Sequence, residues 1–321
     1  MRTGEVAIVL LCAAGLALGA QRAAQKSPAQ KPPAPPQRVE DDIKTRITLD
    51  VTRVNLLFTV TDKKGRFVTN LARTDFEVFE GRRGQNILEF TAETDLPLRL
   101  AILVDTSNSI RERFRFIQEA AVEFIASVVR PRQDKALVVS FDTTAELVSD
   151  LNEDPEKLAG LIRDLRPGGG TSLYDAVFFA CRDKLGKEQP RHKFRRAMVL
   201  ISDGDDNQSR VTRDQSLEMA QKNDVVVYTV STNITKIETD GDKVLKYLAA
   251  ETGGLAFFPF KVEDLGQSFE NIANELRHQY NVFYRPEPLR TDGQYQTVEV
   301  RVKARKDLVV RARKGYYAPR L

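Results

Sequence analysis

The chain has 321 residues, of which 41% are hydrophobic and 29% are charged, so it can bury a sizeable core and is neither disordered nor collagen-like overall. Its 49 basic and 45 acidic residues give a formal charge of +4, which indicates a surface of mixed sign. Because nucleic-acid binding normally requires a concentrated basic face, no nucleic acid is expected as a partner.

The first residues have the pattern of an export signal. Arg2 is followed by an apolar core from Val6 to Ala20, which is too short to span a bilayer as a helix. We predict a signal peptide over residues 1–20 and a secreted or periplasmic protein without an integral membrane segment in the mature chain. Leu18 is an imperfect residue for a cleavage site, so retention of the segment as an anchor stays open.

A proline-rich segment follows over residues 21–44, and it predicts an extended linker that cannot bury enough apolar surface to fold. Cys181 would then be the only cysteine of the mature chain, so no internal disulfide is expected. Its position in a helical pattern favours a small buried residue over a nucleophile.

Residues 45–95 and 279–321 both show β patterns. Apolar and polar residues alternate between Val54 and Val60, with turns at Asp62–Gly65 and Gly81–Gly84, and alternation returns at Val298–Val302. Since four short strands have edges that need covering, we expect the two regions to pair in a β-sandwich-like part. The segment between them would then be an insertion.

Residues 96–278 alternate between predicted strands and helices, which favours an α/β domain with a doubly wound parallel sheet. An apolar run over Leu98–Val104 predicts a strand covered on both faces, and a four-three spacing of apolar residues predicts a helix over Ile110–Val129. Asp154 and Pro155 predict the start of a second helix. Further strands are predicted at Ala136–Phe141, Ala197–Ile201, Val225–Val230 and Leu255–Phe258.

Oxygen-bearing side chains lie in three loops at or near the carboxyl ends of these strands. Asp105, Ser107 and Ser109 follow the first strand at alternate positions, Thr171 follows three glycines, and Asp203 follows another apolar strand. Open α/β sheets bind ligands at this edge, and Mg²⁺ prefers hard oxygen ligands. The sequence therefore predicts a divalent-cation site.

These motifs resemble the metal-ion-dependent adhesion site of von Willebrand factor type A domains. The likeness covers roughly Leu98 to Arg277, includes Glu251–Gly254 near the last strand, and extends in the flanking parts to secreted bacterial proteins of this type. The resemblance implies a Rossmann-like fold. No enzymatic activity is expected, because the sequence has no Gly-x-Ser-x-Gly nucleophile motif and Cys181 has no evident base. The resemblance also implies Mg²⁺, with Mn²⁺ or Ca²⁺ possible, on the two serines and the threonine, with the aspartates acting through water and an Asp or Glu of a protein partner completing the shell.

Two other readings stay open. Asp105 at the end of the first parallel strand suits a Mg²⁺-dependent phosphatase, although Ser107 occupies the position where such an enzyme would carry its acid. Alternatively, the domain is a structural scaffold whose cation site stays empty. The segment Pro167–Ser172, which we call the glycine loop, is not followed by the Lys-Ser or Lys-Thr of a nucleotide-binding loop. This disfavours a nucleotide site.

Overall fold

A computed structural model describes residues 53–92, 96–190, 193–233, 235–261 and 264–320 of the chain. These residues belong to one compact unit, Arg46–Leu321. The predicted signal peptide and linker lie outside the described residues. Within the described ranges, no helix combines the length and apolar character needed to cross a bilayer.

The described residues form fourteen strands, which we number in chain order. They are β1 (Val54–Asp62), β2 (Phe76–Glu80), β3 (Arg83–Gln85), β4 (Ile87–Thr91), β5 (Leu98–Asp105), β6 (Lys135–Phe141), β7 (Ala145–Asn152), β8 (Arg195–Ser202), β9 (Val225–Ser231), β10 (Ala256–Phe257), β11 (Tyr280–Tyr284), β12 (Tyr295–Val302), β13 (Leu308–Ala312) and β14 (Gly315–Tyr317).

Six α-helices are described in the same way. They are α1 (Phe114–Val128), α2 (Pro155–Asp164), α3 (Leu173–Phe179), α4 (Arg213–Lys222), α5 (Asp240–Thr252) and α6 (Asp264–Arg277). Short 3₁₀ and π segments precede α1 and follow α3. The predicted start of α2 is confirmed, because the Asp154 side chain accepts hydrogen bonds from the backbone N–H groups of Glu156 and Lys157 ahead of Pro155.

A six-stranded sheet with the order β10-β9-β8-β5-β6-β7 forms the centre of the unit. All neighbouring pairs are parallel except β6 and β7. Every residue of β5 and β8 is buried, as expected for central strands covered by helices on both faces. Helices α1, α2 and α6 pack on one face and α3, α4 and α5 on the other. The predicted α/β fold class is therefore confirmed.

The structure differs from the sequence-based expectation at three places in this domain. Strand β7 was not predicted, since its exposed face leaves no continuous apolar run, and it pairs antiparallel at the edge of the sheet. The strand predicted at Leu255–Phe258 is shortened to Ala256–Phe257. Helix α1 starts at Phe114 after a 3₁₀ segment, Asn108–Arg113, in which Asn108 and Arg111 donate hydrogen bonds to carbonyl oxygens of the glycine loop that follows α2.

Two further antiparallel sheets flank the domain, with the orders β13-β1-β11-β4 and β14-β12-β2-β3. Strand β1 pairs on one side with β11 and on the other with β13, both of which follow the α/β domain in the chain. Apolar side chains of both sheets share one core, with Phe58, Phe76 and Tyr280 in mutual ring contact. The N-terminal strands are thus completed by strands that lie about 190 to 250 residues later.

Candidate metal centre

The candidate site lies where two adjacent parallel strands end. Asp105 is the last residue of β5, and Asp203 directly follows β8. The two strands are paired up to Val104 and Ile201. The loops that leave them therefore start side by side, at the edge of the sheet where α/β domains bind ligands.

Asp105 is a buried carboxylate with an exposed fraction of 0%. Its Oδ1 accepts a 2.8 Å hydrogen bond from the Ser107 backbone N–H, and its Oδ2 accepts a 2.6 Å bond from the Ser202 hydroxyl. Burial raises the pKa of Asp105 from 3.8 to about 6, and the negative charge of Asp203 adds to this effect against the opposing hydrogen bonds. At neutral pH the site thus contains a buried negative charge that a cation would stabilise.

Ser107, Ser109 and Asp203 continue the array of oxygen atoms. The hydroxyl of Ser109 donates to Oδ2 of Asp203 at 2.6 Å, and the hydroxyls of Ser107 and Ser109 are 2.9 Å apart. Ser107 is buried, whereas Ser109 is exposed and Asp203 is half-buried. The structure therefore brings four of the five sequence-predicted residues into one connected cluster that opens to solvent at Ser109.

Thr171, the fifth residue, is held next to both loops by the backbone around it. Gly168 N–H donates to the carbonyl oxygen of Thr106 at 2.6 Å, and Asn108 N–H donates to that of Gly169 at 3.3 Å. On the other side, Thr171 N–H donates to Oδ1 of Asn207 at 3.0 Å. Thr171 is 4% exposed, and its hydroxyl makes no hydrogen bond within the described ranges, which leaves the oxygen available to a ligand.

Two glycines allow these loops to approach closely. Gly169 has φ +76°, and a Cβ there would lie 2.7 Å from the Thr143 hydroxyl oxygen. Gly204 has φ +86°, and a Cβ there would overlap the carbonyl oxygen of Gly241, at the start of α5. A Cβ on Gly241 would in turn overlap the carbonyl oxygen of Asp203.

Gly241 and Arg113 were not identified from the sequence as parts of the site, and Ser202 was included in its third motif but given no role. A Ser-Asp pair at a strand end gives no sign of which member is buried, and a glycine in the first turn of a helix gives none of its contact. Arg113 lies close enough to Asp203 for their charges to interact. Burial lowers the pKa of Arg113, and its Nη1 is buried without a hydrogen-bond partner in the part of the chain that the structure describes.

The donor set fits a hard divalent cation. It comprises two carboxylates and three hydroxyls, and such a set suits Mg²⁺, which keeps part of its water shell. Among the described residues no group of three or more His, Cys, Asp or Glu side chains is arranged to hold a metal. Any cation bound here therefore depends on the hydroxyls of Ser107, Ser109 and Thr171.

The geometry does not favour covalent chemistry at this site. Both oxygens of Asp105 accept hydrogen bonds and the side chain is fully buried, so it is poorly placed to attack a phosphoryl group. Cys181 is fully buried as well, and burial raises the pKa of its thiol.

Part of this domain matches the model of a known family. Residues 100–205 match the model of the von Willebrand factor type A domain. The human von Willebrand factor A domain-containing protein 3B is 28% identical over 169 residues, which are 51% of this chain and 12% of that protein. The chain therefore spans only a small part of that relative.

Two solved structures support the fold. A von Willebrand factor type A protein from Catenulispora acidiphila has a TM-score of 0.50 at 14% identity and covers 83% of this chain and 74% of its own. Proximal thread matrix protein 1 from the mussel byssus has a TM-score of 0.51 at 15% identity, with 62% of this chain and 51% of its own covered. Residues 100–205 of the chain therefore match a von Willebrand factor type A domain, and the two solved structures share its fold.

Proposed function

We propose that this protein is an exported, cation-dependent docking module that binds a protein partner. Its site residues are those that hold the cation, Mg²⁺ in the first place and Mn²⁺ or Ca²⁺ as alternatives. They are Asp105, Ser107, Ser109, Thr171 and Asp203. The observation that carries the proposal is the hydrogen-bonded array of two carboxylates and two hydroxyls at the ends of β5 and β8, beside the unpartnered hydroxyl of Thr171.

Each part of the array has its own task. Asp105 holds the negative charge that attracts the cation, and Ser202 orients its carboxylate. Ser107, Ser109 and Thr171 supply neutral oxygens, so the site is only moderately negative. When bound, the cation supplies a coordination position for an Asp or Glu carboxylate of the partner. The exposed Ser109 and Asn108 mark the side from which that carboxylate approaches.

Calorimetric titration of Mg²⁺ and Mn²⁺ tests the site. We expect the wild-type chain to bind, Asp105→Ala and Ser107→Ala to lose most of the affinity, and Ser127→Ala, near the far end of α1, to bind as the wild type does. Equal binding by all four proteins would refute the site.

A pull-down from an envelope fraction, with and without EDTA, tests docking. Capture that depends on Mg²⁺ and is lost in Ser107→Ala supports the proposal. Capture that EDTA does not affect would indicate a structural scaffold whose cation site stays empty. Phosphatase turnover that disappears in Asp105→Ala would support the enzymatic alternative instead.

A further inference from the structure

The rim of the candidate site is electrically asymmetric. Residues 111–115 and 163–166, which flank it on the β5 side, contain five arginines against Glu112 and Asp164. On the β8 side the loop over residues 203–206 contains three aspartates and no basic residue. The two sides follow from the packing of the helices, since α1 and α2 lie on one face of the sheet, whereas α4 and α5 lie on the other.

Four of these arginines are exposed, and we call them the arginine rim: Arg111, Arg115, Arg163 and Arg166. Arg111 is anchored at the site itself, because its Nη2 donates to Oδ1 of Asn108 at 2.8 Å and to the carbonyl oxygen of Pro167 at 3.4 Å. Arg166 directly precedes Pro167, which begins the glycine loop. The rim therefore starts at the candidate ligands.

Contacts between α1 and the end of α2 gather the arginine rim. The side-chain amide of Gln118 donates to the carbonyl oxygens of Ile162 and Arg163 at 2.7 and 3.1 Å, and Gln118 lies one helical turn after Arg115. Arg166 donates through Nη1 to the carbonyl oxygen of Arg163 at 2.9 Å. The four guanidinium groups are thus carried by two segments in direct contact.

These charges are free to meet an external anion. Among the described residues, Arg111, Arg163 and Arg166 have no carboxylate within ion-pair distance. Arg115 pairs with Glu119, but the two side chains are 86% and 59% exposed, so the pair is weak and can exchange. Uncompensated charges of one sign beside a binding site select the partner and speed its approach.

The opposite side would repel the same anion. Asp205 and Asp240 are exposed, and Asp240 precedes Gly241, which packs against the backbone of Asp203. Negative charges are therefore clustered on the β8 side of the site. An anionic ligand would therefore meet attraction on one side of the site and repulsion on the other.

We propose that the partner presents an acidic peptide segment, with one carboxylate at the cation and at least one more on the arginine rim. This inference rests on the proposed docking function and specifies its partner. A peptide with two or three carboxylates can follow the rim and avoid the aspartates. A nucleic acid carries an evenly spaced line of charges and would have to cross them.

Fluorescence anisotropy with a labelled hexaglutamate peptide in Mg²⁺ tests the inference, with hexaglutamine and an oligothymidylate as comparison probes. We expect Arg163→Gln/Arg166→Gln to weaken hexaglutamate binding by about tenfold and to reduce its dependence on salt. Arg111→Gln should act in the same direction. Arg82→Gln/Arg83→Gln removes the same charge from exposed positions at the β2–β3 turn and should change the affinity by less than about twofold.

The inference is overturned if the wild type binds hexaglutamate no better than hexaglutamine, if the rim and control variants bind equally, or if the oligothymidylate binds more tightly. Removal of Mg²⁺ and Ser107→Ala separate it from the proposed function. Binding that depends on the arginine rim but is unaffected by Mg²⁺ removal and by Ser107→Ala supports the acidic-peptide surface and refutes cation-dependent docking. Binding that needs Mg²⁺ but is unchanged in the rim variants supports cation-dependent docking and refutes the acidic-peptide surface.

Discussion

The hydroxyl of Ser202 donates a 2.6 Å hydrogen bond to Oδ2 of Asp105, which links the ends of β8 and β5 inside the protein. The same hydroxyl oxygen accepts a 3.0 Å bond from the Gly204 backbone N–H, so it also fixes the turn that presents Asp203. Ser202 and Asp105 are both 0% exposed. Water therefore cannot easily replace either bond.

Ser202→Ala should destabilise the fold by about 1–3 kcal/mol at neutral pH, because it leaves a buried carboxylate oxygen unpaired. Urea unfolding measures this effect. Ser149→Ala is the control, because the Ser149 hydroxyl donates to the carbonyl oxygen of Asp150 on the edge strand β7, and its loss should cost less than about 0.5 kcal/mol. A Ser202→Ala protein as stable as the wild type would show that the bond is not needed.

Asp105→Asn should stabilise the metal-free protein at neutral pH. The pKa of Asp105 is about 6 in the folded chain and 3.8 for the ordinary group, so the folded state holds this proton more tightly. Relative to a side chain that stays protonated, Asp105 costs the folded state nothing below pH 4. This cost grows as the pH rises from 4 to 6 and levels off at about 3 kcal/mol above that window.

Unfolding in EDTA at several pH values checks this prediction. The advantage of Asp105→Asn over the wild type should grow between pH 4 and 7 and should shrink when Mg²⁺ is added, since only the wild type gains a bound cation. An advantage that does not vary with pH would contradict the ionisation of a buried Asp105.

Thr171→Val should separate cation binding from stability. The Thr171 hydroxyl has no hydrogen bond in the described part of the chain, so its loss should change the free energy of unfolding by less than about 1 kcal/mol. Mg²⁺ affinity in calorimetry should nevertheless fall by about ten- to a hundredfold. Thr144→Val, at an exposed position, is the matched control, and unchanged affinity in Thr171→Val would remove Thr171 from the site.

Arg113→Gln should increase Mg²⁺ affinity by about threefold, because the charge of Arg113 acts on Asp203 and opposes a cation there. Calorimetry against Arg115→Gln, a more exposed arginine of the same segment, isolates the effect. Equal or weaker affinity in Arg113→Gln would show that this guanidinium instead holds Asp203 in place.

Gly241→Ala and Gly160→Ala should have opposite effects although both glycines lie in helices. Alanine at position 160 meets nothing within 4 Å and should stabilise α2 by about 0.5–1 kcal/mol. Alanine at position 241 would overlap the carbonyl oxygen of Asp203, so we expect a loss of about 1–3 kcal/mol and weaker Mg²⁺ binding. Thermal unfolding and calorimetry measure the two effects, and stabilisation by both alanines would contradict the close contact.

The central fold could be predicted because its signals are local. The apolar run Leu98–Val104 and the Asp that ends it identify β5, and strand ends in a parallel sheet must meet at one edge. The contacts of Ser202, Gly241 and Arg113 could not be predicted. They depend on which side chain faces inward at a loop and on how closely α5 approaches the Asp203 turn, and no periodicity in the sequence records either distance.

The pairing of β1 with β11 and β13 also sets an order of events during synthesis. About 190 residues separate the end of β4 at Thr91 from the start of β11 at Tyr280. At about 5–20 residues per second, the ribosome needs roughly 10–40 s to make that stretch. Throughout this interval the apolar face of β1 lacks its partner strands, so it is a part of the nascent chain that is open to aggregation.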